Sequence, residues 1–386
     1  MGLEATGLNA TRPLAWDVFC QVVDNYGDIG VCWRLARQLA ALSGHTVRLW
    51  VDDLHSFAPL LPALDPAQPR QRHAGVDILH WREADADALP GDVVIEAFAC
   101  ALPAAWPARM RARRPSPLWI NLEYLSAEDW VAGCHGLMSP QPGGLGKYFF
   151  FPGFTDATGG LPRERDLLSR RAAWDDTAAR GWLAARLGVT VPPDALRISL
   201  FAYQDPPLAP LLDAWAASAQ PVWLLAPQGK VTATLASELG VTPEALAQGV
   251  QRGALTARSI PFVEQDEYDL LLWSCHLNFV RGEDSFVRAQ WAGVPLVWHI
   301  YPQEDAAHLD KLAAFLALYL AELPAEPARA LRAFWLAWNA GGTPDWAALA
   351  PGLPALRDHA ARWAAHLGGQ RDLAANLVSF ARAKLE

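Results

Sequence analysis

Residues 22–39 read VVDNYGDIGVCWRLARQL, and this stretch decides the fold because it joins a strand to a helix. The run AWDVFCQVV, residues 15–23, is short and apolar, as is typical of a strand covered on both faces. The residues after the turn repeat apolar positions at helical spacing, which predicts that Arg34 and Arg37 face solvent. Asp24 and Asp28 lie between the two elements, at the strand edge where open α/β sheets bind ligands. The alternative is that Asp28 only caps the helix and Asp24 only forms a turn.

A second junction of the same kind lies in residues 276–308, HLNFVRGEDSFVRAQWAGVPLVWHIYPQEDAAH. The strand HLNFV ends at Arg281-Gly282-Glu283-Asp284-Ser285, and a helix is predicted to begin at about Ser285. A helix start offers free N–H groups and a positive dipole end, and Arg281 adds a fixed charge, so the junction favours a diphosphate. Gly282 allows close approach to the backbone. The alternative is that Ser285 is only an N-cap and that the acidic residues before it only complement the helix dipole.

Predicted strands and helices alternate along the chain, which is the pattern of βα units on a parallel sheet. Residues 153–193 interrupt this pattern with a turn-rich, charged and proline-containing segment, so a domain boundary is expected between about 155 and 195. After residue 303 the composition is almost wholly helical. We therefore predict an α/β protein with two doubly wound, Rossmann-like domains that face each other across a cleft.

Composition excludes several classes of function. The 386 residues carry a formal net charge of −9, which argues against general binding to nucleic acid or to anionic membranes. The five cysteines are odd in number and form no CxxC pair, which indicates reduced thiols in a cytoplasmic protein. The N-terminus has no signal-peptide pattern, and the most apolar run, LAAFLALYLAEL at 312–323, is too short to span a bilayer.

No metal site is expected from the sequence. The one Asp-x-Asp sequence, Asp85-Ala86-Asp87, lies in an alanine-rich stretch that does not end an apolar strand, so we interpret it as a solvated loop or helix start. The histidines are scattered singly, which favours structural roles for them. A transfer reaction at the second junction would therefore rely on the helix dipole and on Arg281 to stabilise a leaving diphosphate.

Aromatic residues cluster at the ends of two predicted strands of the second half. Phe201 and Tyr203 end the strand LRISLFAY, while Phe262 and Tyr268 flank the loop after LTARSIPF, with Gln265 between them. Aromatic residues at strand ends usually belong to the core, and this is the favoured interpretation from the residues alone. The alternative is that they stack on a nucleobase.

Both junction sequences closely resemble those of the bacterial protein-arginine rhamnosyltransferases that modify elongation factor P (EF-P), and the layout agrees over nearly the whole chain. The resemblance implies a GT-B fold with an acceptor-binding domain at 1–165, a nucleotide-sugar-binding domain at 166–368, and a C-terminal helix at 369–386 that crosses back. The implied reaction is inverting, metal-independent transfer of rhamnose from dTDP-β-L-rhamnose to a guanidinium nitrogen of one EF-P arginine. It would activate this translation factor for ribosomes stalled at polyproline. No cofactor, nucleic acid or membrane is implied.

The resemblance also implies roles for single residues. Asp28 matches the general base, which is needed because a protonated guanidinium is a poor nucleophile. Asp24 would orient the guanidinium and balance its positive charge. The residues expected to position the acceptor are Asn25, Tyr26, Gly27 and Glu123, with Tyr124 at the same cleft edge. The residues expected to bind the donor are Phe201, Tyr203, Phe262, Gln265, Arg281, Gly282, Glu283, Asp284, Ser285, Tyr301 and Gln303. Tyr268 stands where the family would have a phenylalanine.

Other functions stay open from the residues alone. A GT-B enzyme for another acceptor, or a nucleotide-sugar epimerase, would have the same two junctions. A dinucleotide-dependent oxidoreductase would use residues 25–30, which do not complete the G-x-G-x-x-G pattern. A non-catalytic binding protein of the same fold would not need Asp28.

Overall fold

The computed structural model describes residues 12–24, 26–42, 44–82, 88–303 and 306–385. Within these ranges the chain forms two β-sheets with helices packed around them. Two predictions lie outside the described residues, namely the acceptor-positioning role of Asn25 and the loop at Asp85 and Asp87. None of the described helices is both long and apolar enough to cross a membrane.

The first sheet has the order β3-β4-β2-β1-β5-β6-β8-β7. Its strands are β1 (Ala15–Cys20), β2 (Thr46–Val51), β3 (Arg70–His73), β4 (Val76–His80), β5 (Val93–Ala97), β6 (Leu118–Leu122), β7 (Met138–Pro140) and β8 (Gly146–Phe150). All neighbours are parallel except the two edge pairs, β3 with β4 and β7 with β8. The strand order reverses at β1, which is the switch point at which doubly wound sheets bind ligands.

The second sheet has the order β11-β12-β10-β9-β13-β14. Its strands are β9 (Leu196–Leu200), β10 (Val222–Pro227), β11 (Val250–Arg252), β12 (Leu255–Ile260), β13 (Leu277–Arg281) and β14 (Leu296–His299). Only β11 runs antiparallel to its neighbour. The order reverses between β9 and β13, so the carboxyl end of β13 lies at the switch point of this sheet.

Helices connect the strands and fill the C-terminal part. They are α1 (Gly27–Ala41), α2 (Leu54–Phe57), α3 (Trp106–Ala112), α4 (Trp130–Cys134), α5 (Leu167–Ala172), α6 (Asp176–Leu187), α7 (Ala209–Ala216), α8 (Lys230–Glu238), α9 (Pro243–Gln248), α10 (Gln265–Ser274), α11 (Asp284–Ala292), α12 (Ala307–Tyr319), α13 (Ala325–Asn339), α14 (Trp346–Leu349), α15 (Leu353–Gly368) and α16 (Leu373–Leu385). A 3-10 turn (Ala350–Gly352) joins α14 to α15.

The central strand β1 is buried on both faces, as its apolar sequence predicts. Trp16 and Val18 enter a hydrophobic cluster that includes the inner face of α1. Phe19 points to the other face, where its ring stacks on Trp50 at a centroid distance of 5.5 Å. This alternation follows from the two-residue period of a strand. It fixes the end of β1, and therefore the turn that follows, at the carboxyl edge of the sheet.

The chain crosses between the two sheets twice. Phe154 and Leu161 follow the first sheet in sequence but pack in the core of the second. Conversely, Leu373 and Leu377 of α16 pack in the core of the first sheet. The predicted α/β fold of two doubly wound sheets and the return of the last helix agree with this packing. The limits 1–165, 166–368 and 369–386 stay a prediction.

Four strands of the structure were not predicted from the sequence, namely β3, β7, β8 and β11. Three of them are short edge strands paired on one side only, so their sequences lack the continuous apolar run of a buried strand. The fourth, β8, has the sequence GKYFF, in which glycine and lysine interrupt the apolar pattern. It lies next to the edge strand β7 and pairs with it.

Candidate active site

The two strand-to-helix junctions meet across the cleft. A Cβ atom added to Gly282, which follows β13, would lie 2.6 Å from Oδ2 of Asp24, which follows β1. Gly282 has a φ of +60°, a conformation that side chains other than glycine adopt rarely. A side chain at this position would therefore push the two loops apart. The structure confirms the expectation that both junctions lie at one site.

Asp28 lies in the first turn of α1 and is 2% exposed. Its Oδ2 accepts hydrogen bonds from the backbone N–H groups of Val23 (2.9 Å) and Asp24 (2.8 Å). Its Oδ1 accepts a longer bond of 3.2 Å from the hydroxyl of Tyr124. The N-cap position belongs to Tyr26, so the alternative role of Asp28 as a cap is wrong. Asp28 instead holds the preceding loop and retains lone-pair capacity on Oδ1.

Asp24 faces the second domain directly. The hydroxyl of Tyr203 donates a 2.6 Å hydrogen bond to Oδ2 of Asp24. Burial raises the pKa of Asp24, while the Tyr203 bond and the charge of Arg281 oppose that rise. A Cβ on Gly27 would lie 2.8 Å from the same carboxylate, so Gly27 provides the space that Asp24 occupies. The expected role of Gly27 in positioning the acceptor stays a prediction.

Arg281 is a buried cation packed among aromatic rings. Its guanidinium carbon lies 4.4 Å from the ring centroid of Phe201, 4.9 Å from that of Tyr203 and 5.9 Å from that of Tyr26. Only 6% of the residue is exposed, and Nη1 is buried without a hydrogen-bond partner among the described residues. A buried, unpaired donor is costly unless a ligand completes it. The site therefore fits an anionic group beside Arg281.

This cation lies at the wall of a narrow cavity whose empty space, including the part open to solvent, is about 550 Å³. Aromatic rings form much of the cavity: Phe262 lies 4.9 Å from Tyr26 and 6.5 Å from Phe201, and Tyr268 lies 5.8 Å from Phe201, all between centroids. The other lining residues are Asp24, Gly27, Leu60, Pro227, Val263, Gln265, Arg281, Asp284 and Ser285. Phe201, Phe262 and Tyr268 thus line a pocket, although the core was their favoured interpretation from the residues alone, whereas Tyr203 is buried and is not among the lining residues.

The second junction differs in detail from its prediction. Helix α11 begins at Asp284, and Glu283 occupies the N-cap position, so the alternative role of Ser285 as N-cap is wrong. The Ser285 hydroxyl accepts a hydrogen bond of 3.0 Å from the backbone N–H of Arg281 and donates one to the carbonyl of the same residue. Burial raises the pKa of Glu283 to about 8, and the nearby charge of Asp28 adds to this.

Arg34 does not face solvent, and the prediction for it was wrong. Its side chain is fully buried, and Nε donates to Oδ1 of Asp284 at 2.8 Å, across the boundary between the two sheets. Nη1 donates to Glu164 at 3.2 Å, and Nη2 donates to the backbone carbonyl of Gln265 at 3.0 Å. Helical periodicity identifies the face that packs on the first sheet, but the second domain covers the opposite face as well.

Arg37 was expected to face solvent too, and it also contacts the second domain. Its guanidinium makes two hydrogen bonds of 2.8 Å with the carboxylate of Asp266. Gln265 completes this interface, because its Nε2 donates to the carbonyl of Gly30 at 2.9 Å and to Oδ2 of Asp284 at 3.1 Å. Helix α1 is therefore fixed to the start of α11 by charged and polar groups.

A second cavity, with about 760 Å³ of empty space when the part open to solvent is included, adjoins the first and shares Asp24 and Gly27 with it. Its further lining residues are Val23, Asp28, Tyr124, Leu125, Gly282, Glu283, Trp298, Ile300, Tyr301, Gln303 and Lys311. Tyr301 and Gln303, which were predicted to bind the donor, therefore line the same cavity as Asp28. Glu123, which was predicted to position the acceptor, lines neither cavity. Glu123 accepts a hydrogen bond of 2.5 Å from Asn121, and burial raises its pKa.

Sequence reasoning missed Lys311, which enters the second cavity from α12. Its Nζ lies 5.6 Å from the ring centroid of Tyr124. No motif marks Lys311, because its proximity to Asp28 depends on the packing of α12 against the cleft. Among the described residues, no group of three or more histidine, cysteine, aspartate or glutamate side chains is arranged to hold a metal ion.

Two doubly wound domains whose strand ends face one cleft form the architecture of GT-B glycosyltransferases. A sequence model described as "Elongation-Factor P (EF-P) rhamnosyltransferase EarP" matches residues 16–382. The chain belongs to this family and is a glycosyltransferase.

Individual relatives agree with this membership. The chain is 56% identical to the protein-arginine rhamnosyltransferase of Pseudomonas putida (strain KT2440) over 373 residues, which cover 96% of this chain and 99% of the relative. It is 53% identical to that of Pseudomonas aeruginosa (strain PAO1), over 95% of this chain and 98% of the relative. A solved structure described as "Structural basis for EarP-mediated arginine glycosylation of translation elongation factor EF-P" is 41% identical. It matches with a TM-score of 0.68 over 96% of this chain and 99% of that one.

Proposed function

We propose that this protein transfers rhamnose from dTDP-β-L-rhamnose to a guanidinium nitrogen of one arginine on EF-P, with inversion and without a metal. The observation that carries the proposal is the meeting of the two junctions, with Gly282 against Asp24 and the Tyr203 hydroxyl 2.6 Å from its carboxylate. This meeting supports a reaction between the carboxylates of the first junction and the buried cation of the second. The reduced cysteines of the described residues suit action on a cytoplasmic translation factor.

The donor would bind on the side of the second domain. The thymine base would stack among Phe201, Phe262 and Tyr268, which line the 550 Å³ cavity. The diphosphate would accept hydrogen bonds from Arg281, whose Nη1 lacks a partner among the described residues, and from the N–H groups at the start of α11. This arrangement supports departure of the diphosphate without a metal, because positive charge is already in place.

The acceptor arginine would enter the second cavity, where Asp24 and Asp28 hold its guanidinium. As a guanidinium nitrogen forms a bond to the anomeric carbon, the bond from that carbon to the diphosphate oxygen breaks and its electron pair leaves with dTDP. The proton released by the nitrogen passes to Asp28, whose Oδ1 has the weaker of its hydrogen bonds, from Tyr124 at 3.2 Å. Attack opposite to the leaving group inverts the anomeric centre.

The proposal is tested by incubating purified EF-P with this protein and dTDP-β-L-rhamnose, followed by intact-mass spectrometry and peptide mapping. The expected result is a gain of one deoxyhexose on a single arginine, unaffected by EDTA, with NMR of the glycopeptide giving the anomer opposite to the donor. Wild-type protein that binds dTDP but leaves EF-P unmodified would overturn the acceptor. Loss of activity in EDTA that added Mg²⁺ restores would overturn metal independence.

A further inference from the structure

A surface groove, with about 1130 Å³ of empty space when its open solvent is included, is lined by residues that follow those of the Asp28 cavity along the chain. We call it the side groove; residues 126–132 form one wall, α12 forms the other, and residues 154–158 close its end. None of its lining residues was predicted from the sequence, and none lines the two cavities of the active site.

Both walls of the side groove continue directly from the active site. On the first wall, Tyr124 and Leu125 line the cavity of Asp28, and the groove begins with the next residue, Ser126. On the second wall, Lys311 lines the cavity, and Ala314 one turn further along α12 lines the groove. A chain that places one side chain beside Asp28 can therefore continue into the groove.

The chemistry of the groove fits a polypeptide with both apolar and basic side chains. Trp130 stands at its rim, 53% exposed, with its ring edge against Phe151 at 5.5 Å between centroids. Glu128 and Asp129 add carboxylates beside this ring, and Ser126 donates a 2.8 Å hydrogen bond that orients Glu128. An exposed tryptophan next to fixed acidic groups is typical of a binding surface rather than of a solvated face.

We propose that the side groove docks the acceptor protein, by binding the segment next to the arginine that enters the cavity of Asp28. The inference rests on the proposed function, since the occupant is the protein that carries the modified arginine. Its segment would place an apolar side chain against Trp130 and a basic one beside Asp129. Docking outside the reaction space explains how one arginine is selected among many, because the cavity itself recognises only a guanidinium.

The test compares three groove variants with three matched surface variants in steady-state modification of EF-P at saturating donor. The groove variants are Trp130→Ala, Asp129→Lys and Ala317→Arg, which remove the ring, reverse a charge and fill the groove. The controls are Leu336→Ala, Asp358→Lys and Ala333→Arg, at exposed helix positions outside every cavity described above. Calorimetric binding of dTDP and thermal melting check that each variant is folded.

Each groove variant is expected to raise the KM for EF-P by about tenfold or more with kcat within about twofold, because only uniform binding is lost. The controls and dTDP affinity stay unchanged. Modification of EF-P with an unchanged KM in all three folded groove variants overturns the docking surface but leaves the proposed function intact. Failure of the wild type to modify EF-P overturns both. A dimer in sedimentation that dissociates in Trp130→Ala, with KM unchanged, would assign the groove to a second copy and also overturn the proposal.

Discussion

The junctions β1–α1 and β13–α11 occupy equivalent places in their sheets, yet their carboxylates have different partners. In the first junction, Asp28 bonds to backbone groups of its own loop and keeps capacity on Oδ1. In the second, Asp284 accepts hydrogen bonds on both oxygens, one from Arg34 across the domain boundary and one from Gln265 of its own domain. The comparison teaches that topology places the charged groups at the cleft, while the packing around each junction decides which of them are left for chemistry.

The largest effect should come from Asp28, whose Oδ1 can accept a further hydrogen bond or a proton. Asp28→Asn removes the group that accepts the proton, so kcat for EF-P modification should fall by about 10³- to 10⁴-fold, with dTDP affinity unchanged. The measurement is single-turnover kinetics by mass spectrometry. Asp53→Asn is the matched control, because this strand-end aspartate caps α2 and asparagine caps equally well. A rate for Asp28→Asn within tenfold of the wild type would show that Asp24 is the base.

The second prediction concerns the carboxylate that is already paired. Arg34→Met leaves the partly buried carboxylates of Asp284 and Glu164 with less compensation, and should lower the free energy of unfolding by about 3 kcal/mol. Urea unfolding measures this change. Arg37→Met, which breaks the pair with the half-exposed Asp266, should cost about 1 kcal/mol or less. Equal effects of the two substitutions would mean that the Arg34 network is not the stronger link between the domains.

These two arginines also show how far sequence reasoning reaches. Asp24, Asp28 and the second junction could be located from sequence because each follows an apolar strand, and parallel strands bring such turns to one edge. The role of Arg34 could not, since periodicity describes one helix and one sheet, whereas Arg34 is buried by a second domain. Lys311 was missed for the same reason: α12 reaches the cleft only through tertiary packing.

The N-cap roles considered for Asp28 and Ser285 show a further limit of prediction from sequence. Both residues were compatible with capping, because aspartate and serine near a helix start do cap helices in general. The caps are Tyr26 and Glu283 instead, each two positions upstream of the residue in question. Helix boundaries depend on backbone geometry to within a residue or two, and a sequence pattern does not resolve that. The chemistry assigned to these side chains therefore depends on coordinates.

A third prediction tests the cation that gives the second junction its chemistry. Arg281→Gln should weaken dTDP binding by about tenfold to a hundredfold, because hydrogen bonds to charged groups contribute about 1.5–3 kcal/mol. Isothermal titration calorimetry measures the affinity. Arg252→Gln is the control, since Arg252 pairs with the exposed Asp213 away from the cleft. Unchanged affinity in Arg281→Gln would move the diphosphate away from this junction.

The smallest effect should come from Glu283, a carboxyl group of the second junction whose pKa is raised by burial. Its pKa is raised by burial from an ordinary 4.5 to about 8. Between these values the folded protein retains a proton that the unfolded chain has released, so the free energy of unfolding falls as pH rises through this window. Glu283→Gln lacks this titration. It should match the wild type near pH 5 and become more stable than the wild type, by about 1 kcal/mol or more, above pH 8.

Urea unfolding of both proteins at several pH values measures this difference, with the exposed Glu322→Gln as the control. If the difference in free energy of unfolding from the wild type grows with pH only in Glu283→Gln, Glu283 is neutral at physiological pH. Arg281 would then have no ionised Glu283 beside it and could pair with the diphosphate. A difference that stays constant with pH would mean that Glu283 is ionised in the folded protein. The second junction would then place two carboxylates beside Arg281, and the leaving group would depend more on the helix start than on net positive charge.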